Sequence, residues 1–214
     1  VIDGSLDPQG SLTYGELYLP GASSDEVLIS AHICHPSLGN DNCSGLAVAG
    51  WLARHLAGRR TRHSYRFLMA PAVLGSLCWL AARRNDLVRI KHGLVIANVG
   101  DGGGPTYKKS RRGNAPVDQA AAQILAQSEG TPRILEFSPY GYDERQFCSP
   151  GFDLPVGRLT RSPNASYSEY HTSADDLSLI RPESIAVAFS ALARLVAVID
   201  GNRVPLNLSP KGEP

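Results

Sequence analysis

The 214-residue sequence lacks paired cysteines, a dominant sign of charge, long apolar runs and internal repeats. Its four cysteines (Cys34, Cys43, Cys78 and Cys148) are scattered, and none forms a Cys-x-x-Cys pair. That excludes a disulfide framework and points to the reduced cysteine usage of a cytoplasmic protein. Net charge is only +1, so neither nucleic acid nor an anionic membrane surface is suggested as a partner. No stretch approaches the roughly 18–20 unbroken apolar residues of a spanning helix. The opening Val1-Ile2-Asp3-Gly4 carries no basic and apolar leader, and a start at valine suggests a piece of a longer chain.

What is present is ordinary globular material, 43% apolar and 19% charged. The length suits one sizeable domain over 1–200, followed by a tail at 201–214 whose three prolines and absent periodicity predict a loose segment. Short apolar runs predict strands at 11–19, 26–32, 65–70, 93–99, 133–137 and 154–159. Helical spacing predicts helices over 43–56 (capped by Ser44), 75–84, 115–129 and 182–199. Strands alternating with helices imply an α/β fold of three αβα layers with a mixed, mostly parallel sheet. Functional groups in such folds gather beyond the carboxyl ends of strands.

One stretch does so conspicuously. Ser30 to Gly45, SAHICHPSLGNDNCSG, places His32, His35 and Asp41 within ten residues after an apolar strand. Neutral imidazoles and a carboxylate are donors that zinc prefers. His32 stands at the strand end, while His35-Pro36 has the stiffer loop setting, so both stay open as ligands. Cys34 reads as a core-facing strand residue. The run Gly102 to Gly104 lacks the Lys-Ser/Thr of a phosphate loop and reads as a flexible connection. Arg59-Arg60-Thr61-Arg62 reads as a solvated turn, whereas Lys108 to Arg112 is placed to lean over a site.

These motifs resemble the zinc aminopeptidase clan, which includes leucyl aminopeptidases and glutaminyl cyclases. Asp41-Asn42-Cys43-Ser44-Gly45 is similar to the clan's Asp-Asn-x-Ser-Gly, and Tyr170-His171-Thr172 with Asp175 to its Tyr-His-Thr-x-x-Asp. The loop from Asp143-Glu144-Arg145 to Phe147, before Gly151 and Pro155, resembles the clan's pocket-bordering loop. A narrower likeness, through GSLTYGE, HICHPSLGNDN, SRRG, DERQFCSPGF and EYHTSAD, is to the aminopeptidase-like proteins found with bacterial polysaccharide-biosynthesis genes. Those proteins carry an inserted β domain and a winged helix, neither of which this sequence contains.

The resemblance implies a zinc-exopeptidase-like fold and one firmly bound zinc ion. It implies ligands Asp41 and His171 with His32 or His35, and substrate contacts from Asp143, Arg145 and Tyr170. Asp101, Glu169 and Asp175 follow as ligand-supporting acids or a second metal position. A peptide or aminoacyl compound is the implied substrate, and self-association is compatible with it. The sequence departs from the pattern at Ala72, where the narrower family has a general-base glutamate, and Glu144 is the expected substitute. Asn98 stands where two-zinc members have a carboxylate. The implied activity is zinc-dependent amide-bond hydrolysis; a cyclising acyl transfer or an inactive metal-holding domain are the other readings.

Overall fold

The computed structural model describes residues 4–5, 7–35, 38–128, 131–203, 206–208 and 211–212. Pro36, Glu129 and half of the predicted tail after Asn202 lie outside them. The elements run β1 (Gly15–Leu19), β2 (Glu26–His32), α1 (Gly45–Leu56), β3 (Ser64–Ala70), α2 (Leu74–Ala82) and β4 (Ile90–Ile96). They continue with β5 (Thr106–Lys108), α3 (Pro116–Ala126), β6 (Arg133–Leu135), α4 (Glu144–Phe147), β7 (Val156–Thr160) and α5 (Pro182–Gly201). The seven strands form one sheet in the order β1-β3-β2-β4-β7-β5-β6. Its centre, β3-β2-β4-β7, is parallel, while β1–β3 and β5–β7 are antiparallel. The α/β class and the mixed, mostly parallel sheet are as expected.

The strands alternate their side chains between two cores, as the pleat requires. Val27, Ile29 and Ala31 of β2, Phe67 of β3 and Leu94 and Ile96 of β4 pack with α1, α3 and α5. Leu28, Leu68, Val95 and Val156 pack on the other face with Trp79 and Leu80 of α2 and Phe147 of α4. Both faces of the central strands are therefore covered, which explains their unbroken apolar runs. The helix α5 is long and apolar enough to span a membrane by length and composition. Leu192, Leu195, Val196 and Ile199 instead bury its apolar stripe in the first core.

Several boundaries differ from expectation for reasons of pairing. The strand β1 begins at Gly15, not Ser11, because its antiparallel register on β3 starts at Gly15 opposite Met69. The strand β6 stops at Leu135, opposite Lys108, where its short partner β5 ends. The strand β4 ends at Ile96, and Asn98 soon turns the chain through a left-handed φ of 51°. Ser44 stands at the start of α1, but its side chain does not cap the helix: Ser44 Oγ donates to Asn40 O at 2.7 Å. The run Gly102–Gly104 is not a loose connection either. A Cβ there would strike Arg181, Ser162 and the Thr131 carbonyl in turn.

The parallel centre brings the ends of β2, β3, β4 and β7 to one side of the sheet. His32 closes β2, Ala70 to Ala72 follow β3, and Asn98 to Asp101 follow β4.

Candidate metal centre

Strand β2 delivers His32 with its side chain fully buried, and the chain returns through the kinked turn Gly39–Ser44 to bring Asp41 against it. His32 Nε2 lies 2.6 Å from Asp41 Oδ1. Asn42 Nδ2 lies 3.4 Å from His32 Nδ1 and donates to Ile96 O at 3.0 Å. An amide donor at Nδ1 leaves the ring proton on Nε2, which points it at Asp41. The other carboxylate oxygen faces two more imidazoles: His171 Nε2 at 3.0 Å and His35 Nδ1 at 3.7 Å from Asp41 Oδ2. Donor atoms of His35, Asp41 and His171 all lie within 4.8 Å of one another, and those of His32, Cys34 and His35 form a second such group.

Asp41 has no accessible surface, and among the described residues no Lys or Arg pairs with it. A buried carboxylate without a fixed cation is costly, and a bound cation supplies the missing charge. Two donors on one tetrahedral zinc stand ~3.3 Å apart, from bond lengths of ~2.0–2.1 Å. The Asp41–His171 and Asp41–His35 separations of 3.0 and 3.7 Å bracket that value. Burial pushes His35 below the usual histidine range, with the Asp41 charge opposing it, so its imidazole is available neutral. The donor set thus fits zinc.

A scaffold from distant chain segments fixes this turn. Asp175 accepts the Asn40 and Asp41 amides at 2.5 and 3.0 Å and the Tyr167 hydroxyl at 3.4 Å. Asp101 accepts from Asn40 Nδ2 (2.8 Å), Ser162 Oγ (2.6 Å) and the Gly103 amide (2.6 Å). Asp175 therefore holds the backbone that presents Asp41 and Asp101 the Asn40 side chain beside it, and among the described residues neither acid hydrogen-bonds a histidine ring. Glu169 likewise misses His171 and accepts from Ser168 at 2.9 Å. His171 has a left-handed φ of 59°, a conformation costing ~1–2 kcal/mol for a residue with a Cβ. Its ring stacks on Tyr170 with centroids 3.9 Å apart, so Tyr170 orients a donor.

The remaining acids behave differently from each other. Asp143 is fully buried and accepts from Ser76 Oγ at 2.9 Å, while its Oδ2 has no partner among the described residues. Burial pushes its pKa up to about 6, against the Ser76 hydrogen bond and the nearby His32. Glu144 Oε1 instead accepts from Lys108 Nζ at 2.9 Å and Arg158 Nη1 at 3.2 Å. Arg145 Nε is buried without a hydrogen-bond partner among the described residues. Asn98 donates to Tyr167 Oη at 3.2 Å, and its own carbonyl oxygen is buried and unpartnered. Cys34 does not face the core: β2 has ended, and its half-buried Sγ lies 3.4 Å from His35 Nδ1, beside the Ala72 backbone. Position 72 therefore adjoins the centre.

Sequence reasoning missed Tyr142, whose ring stacks on His32 at 4.8 Å, and Tyr167. Both stand one or a few residues from motifs already singled out, which is the only signal they give. The basic run 108–112 is divided: Lys108 turns inward to Glu144, Lys109 pairs with Glu136 (2.7 Å), and Arg111 with Asp153 (2.7 Å).

Comparison with known proteins agrees with this architecture. A Clostridium acetobutylicum protein named for polysaccharide biosynthesis, with an aminopeptidase-like domain, is 43% identical over 214 residues, which is 100% of this chain and 49% of that protein. A crystal structure from C. acetobutylicum, described as a candidate peptidase, aligns at a TM-score of 0.88 and 41% identity over 94% of this chain and 47% of that one. A zinc aminopeptidase from Bacillus subtilis aligns at 0.70 and 19% identity over 87% and 49%, respectively, which shows a shared fold. The chain spans about half the length of these relatives. The model of the family described as a domain of unknown function, DUF4910, matches residues 6–202, and the chain belongs to that family.

Proposed function

We propose that this chain is a zinc-dependent amide-bond hydrolase of aminopeptidase type acting on a peptide or aminoacyl substrate in the cytoplasm. The observation that carries the reading is Asp41, a fully buried carboxylate whose two oxygens, among the side chains of the described residues, meet only imidazoles. Asp41 Oδ2, His171 and His35 would hold the ion, with His32 donating to Oδ1. When bound, zinc polarises a substrate carbonyl and lowers the pKa of its water. The protein's own part is positioning: Asp175 and Asp101 fix the Asp41 turn, and Tyr170 and Tyr142 fix the rings of His171 and His32.

Ala72 supplies no base, and of the two neighbouring acids Asp143 suits the role better than Glu144. Asp143 has an unspent oxygen and a pKa raised toward neutrality, where a general base works best. Glu144 already spends its Oε1 on two cations, Lys108 and Arg158. Hydrolysis of aminoacyl anilides by the zinc-loaded chain tests the reading. Asp143→Asn is expected to lower the rate by ~10²–10⁴-fold with zinc retained, and Glu144→Gln to leave zinc retained and the proton-transfer limb of the pH profile unchanged. Bound zinc with no turnover in the unaltered chain, and turnover gained by Ala72→Glu, would show instead that hydrolysis was lost at position 72.

A further inference from the structure

Across the Tyr142 ring from His32 lies a cavity of about 390 Å³, lined by Lys108, Arg158, Asn164, Ser138, Tyr140 and Pro163 among others. Its charge is unusual for an interior. Lys108 and Arg158 are 2% exposed, and the carboxylate between them, Glu144, is fully buried. Two fixed cations against one anion leave a net charge of +1. Glu136, at the mouth, adds none, because Lys109 pairs with it at 2.7 Å. The donors are only partly used. Arg158 Nη1 donates to Glu144 Oε1 and to Asn164 Oδ1, each at 3.2 Å, while Nε has no partner among the described residues. Lys108 Nζ spends two donors, on Glu144 and on Tyr140 O at 2.7 Å, of the three an ammonium carries. No hydrogen bond is formed by the Asn164 Nδ2 donors among the described residues.

The cluster is built into the fold. Gly141, at a φ of 147°, passes so close that a Cβ there would lie 2.6 Å from Arg158 Nη1 and 3.2 Å from Lys108 Nζ. It is also coupled to the centre through one ring: Tyr142 stacks on His32 at 4.8 Å and carries the Arg158 guanidinium 5.3 Å from its centroid.

We propose that this cavity is a carboxylate subsite, which takes one carboxylate of the ligand handled at the Asp41 centre. The charge decides for a carboxylate over a phosphate, since one negative charge neutralises the cluster and two would overshoot it. That the carboxylate belongs to a substrate rests on the amide-bond reading above; the anion site itself does not. The substrate class this names is a peptide or aminoacyl compound with a free carboxylate near the scissile amide.

The test is amide NMR of the whole ¹⁵N-labelled chain titrated with propionate, with its neutral isostere propionamide and with inorganic phosphate. Lys108 and Arg158 are too buried to replace safely, so the diagnostic variant is Asn164→Asp, at a half-buried position. Propionate is expected to give saturable shifts at the amides of 136–138, 140–142 and 164. Propionamide should bind at least tenfold more weakly, and Asn164→Asp should weaken propionate at least tenfold with the rest of the spectrum unchanged. Equal response to propionamide, an Asn164→Asp variant that binds as well as the unaltered chain, or tighter binding of phosphate would overturn the subsite. Anilide turnover without propionate binding removes only the subsite; propionate binding without turnover removes only the hydrolase.

Discussion

Asp41 and Glu144 are both carboxylates with no solvent exposure, and their surroundings are opposite. Around Glu144 the compensating charge is built in: Lys108 and Arg158 both pair with its Oε1, and the cluster carries an excess of positive charge. Around Asp41 the side-chain partners are three imidazoles, groups that serve equally as hydrogen-bond donors or metal ligands. Burying a carboxylate demands compensation in either case. One region has it built in and is ready for an anion; the other leaves it to be supplied by a cation.

The sharpest way to break this contrast is to remove each acid's support and ask what is lost. Asp41→Ala is expected to abolish zinc uptake, measured by metal analysis after dialysis, because His32, His35 and His171 all converge on that carboxylate. Glu144→Gln should do the reverse: zinc content stays, and urea unfolding reports a loss of ~3–5 kcal/mol, the usual cost of leaving buried charge without its partner, because Lys108 and Arg158 then face no anion. Asp175→Asn tests the scaffold between them. It weakens the acceptor for two amides and should lower zinc affinity ~10–100-fold in a competition titration with a chelator.

The smallest effect concerns Asp143. Its folded pKa of about 6 lies above the ordinary carboxylate range, so whatever stability its protonated form contributes is lost as pH rises through about 6. As a base it must be ionised, so the anilide rate should fall as pH drops through the same point. The Ser76 hydrogen bond favours the charged form. Ser76→Ala should therefore move that limb to higher pH without changing zinc content, and an unmoved limb would assign it to another group.

Much of this was legible in the sequence, and the exceptions have physical causes. The bounds of β2 follow from the apolar run Val27 to Ala31, because a strand buried on both faces has no polar side to interrupt it. The donors His32, His35 and Asp41 were legible because nine residues suffice to turn the chain back on itself. The role of Asp175 was not: it lies 134 residues from the Asp41 amide it accepts, and only the closed sheet brings them together. The strand β5 was missed because three residues carry no periodicity and owe their conformation to β7 and β6 on either side. That Lys108 and Arg158 converge on Glu144 was not legible either, because they lie 36 and 14 residues from it.

The account stands most directly on the ligand set at Asp41. Zinc content of the dialysed chain, measured by inductively coupled plasma mass spectrometry for the unaltered protein and for Asp41→Ala, His35→Ala and Glu144→Gln, tests it. The account predicts one zinc per chain in the unaltered protein and in Glu144→Gln, and almost none in Asp41→Ala and His35→Ala. Full zinc occupancy in Asp41→Ala, or none in the unaltered chain, would contradict it.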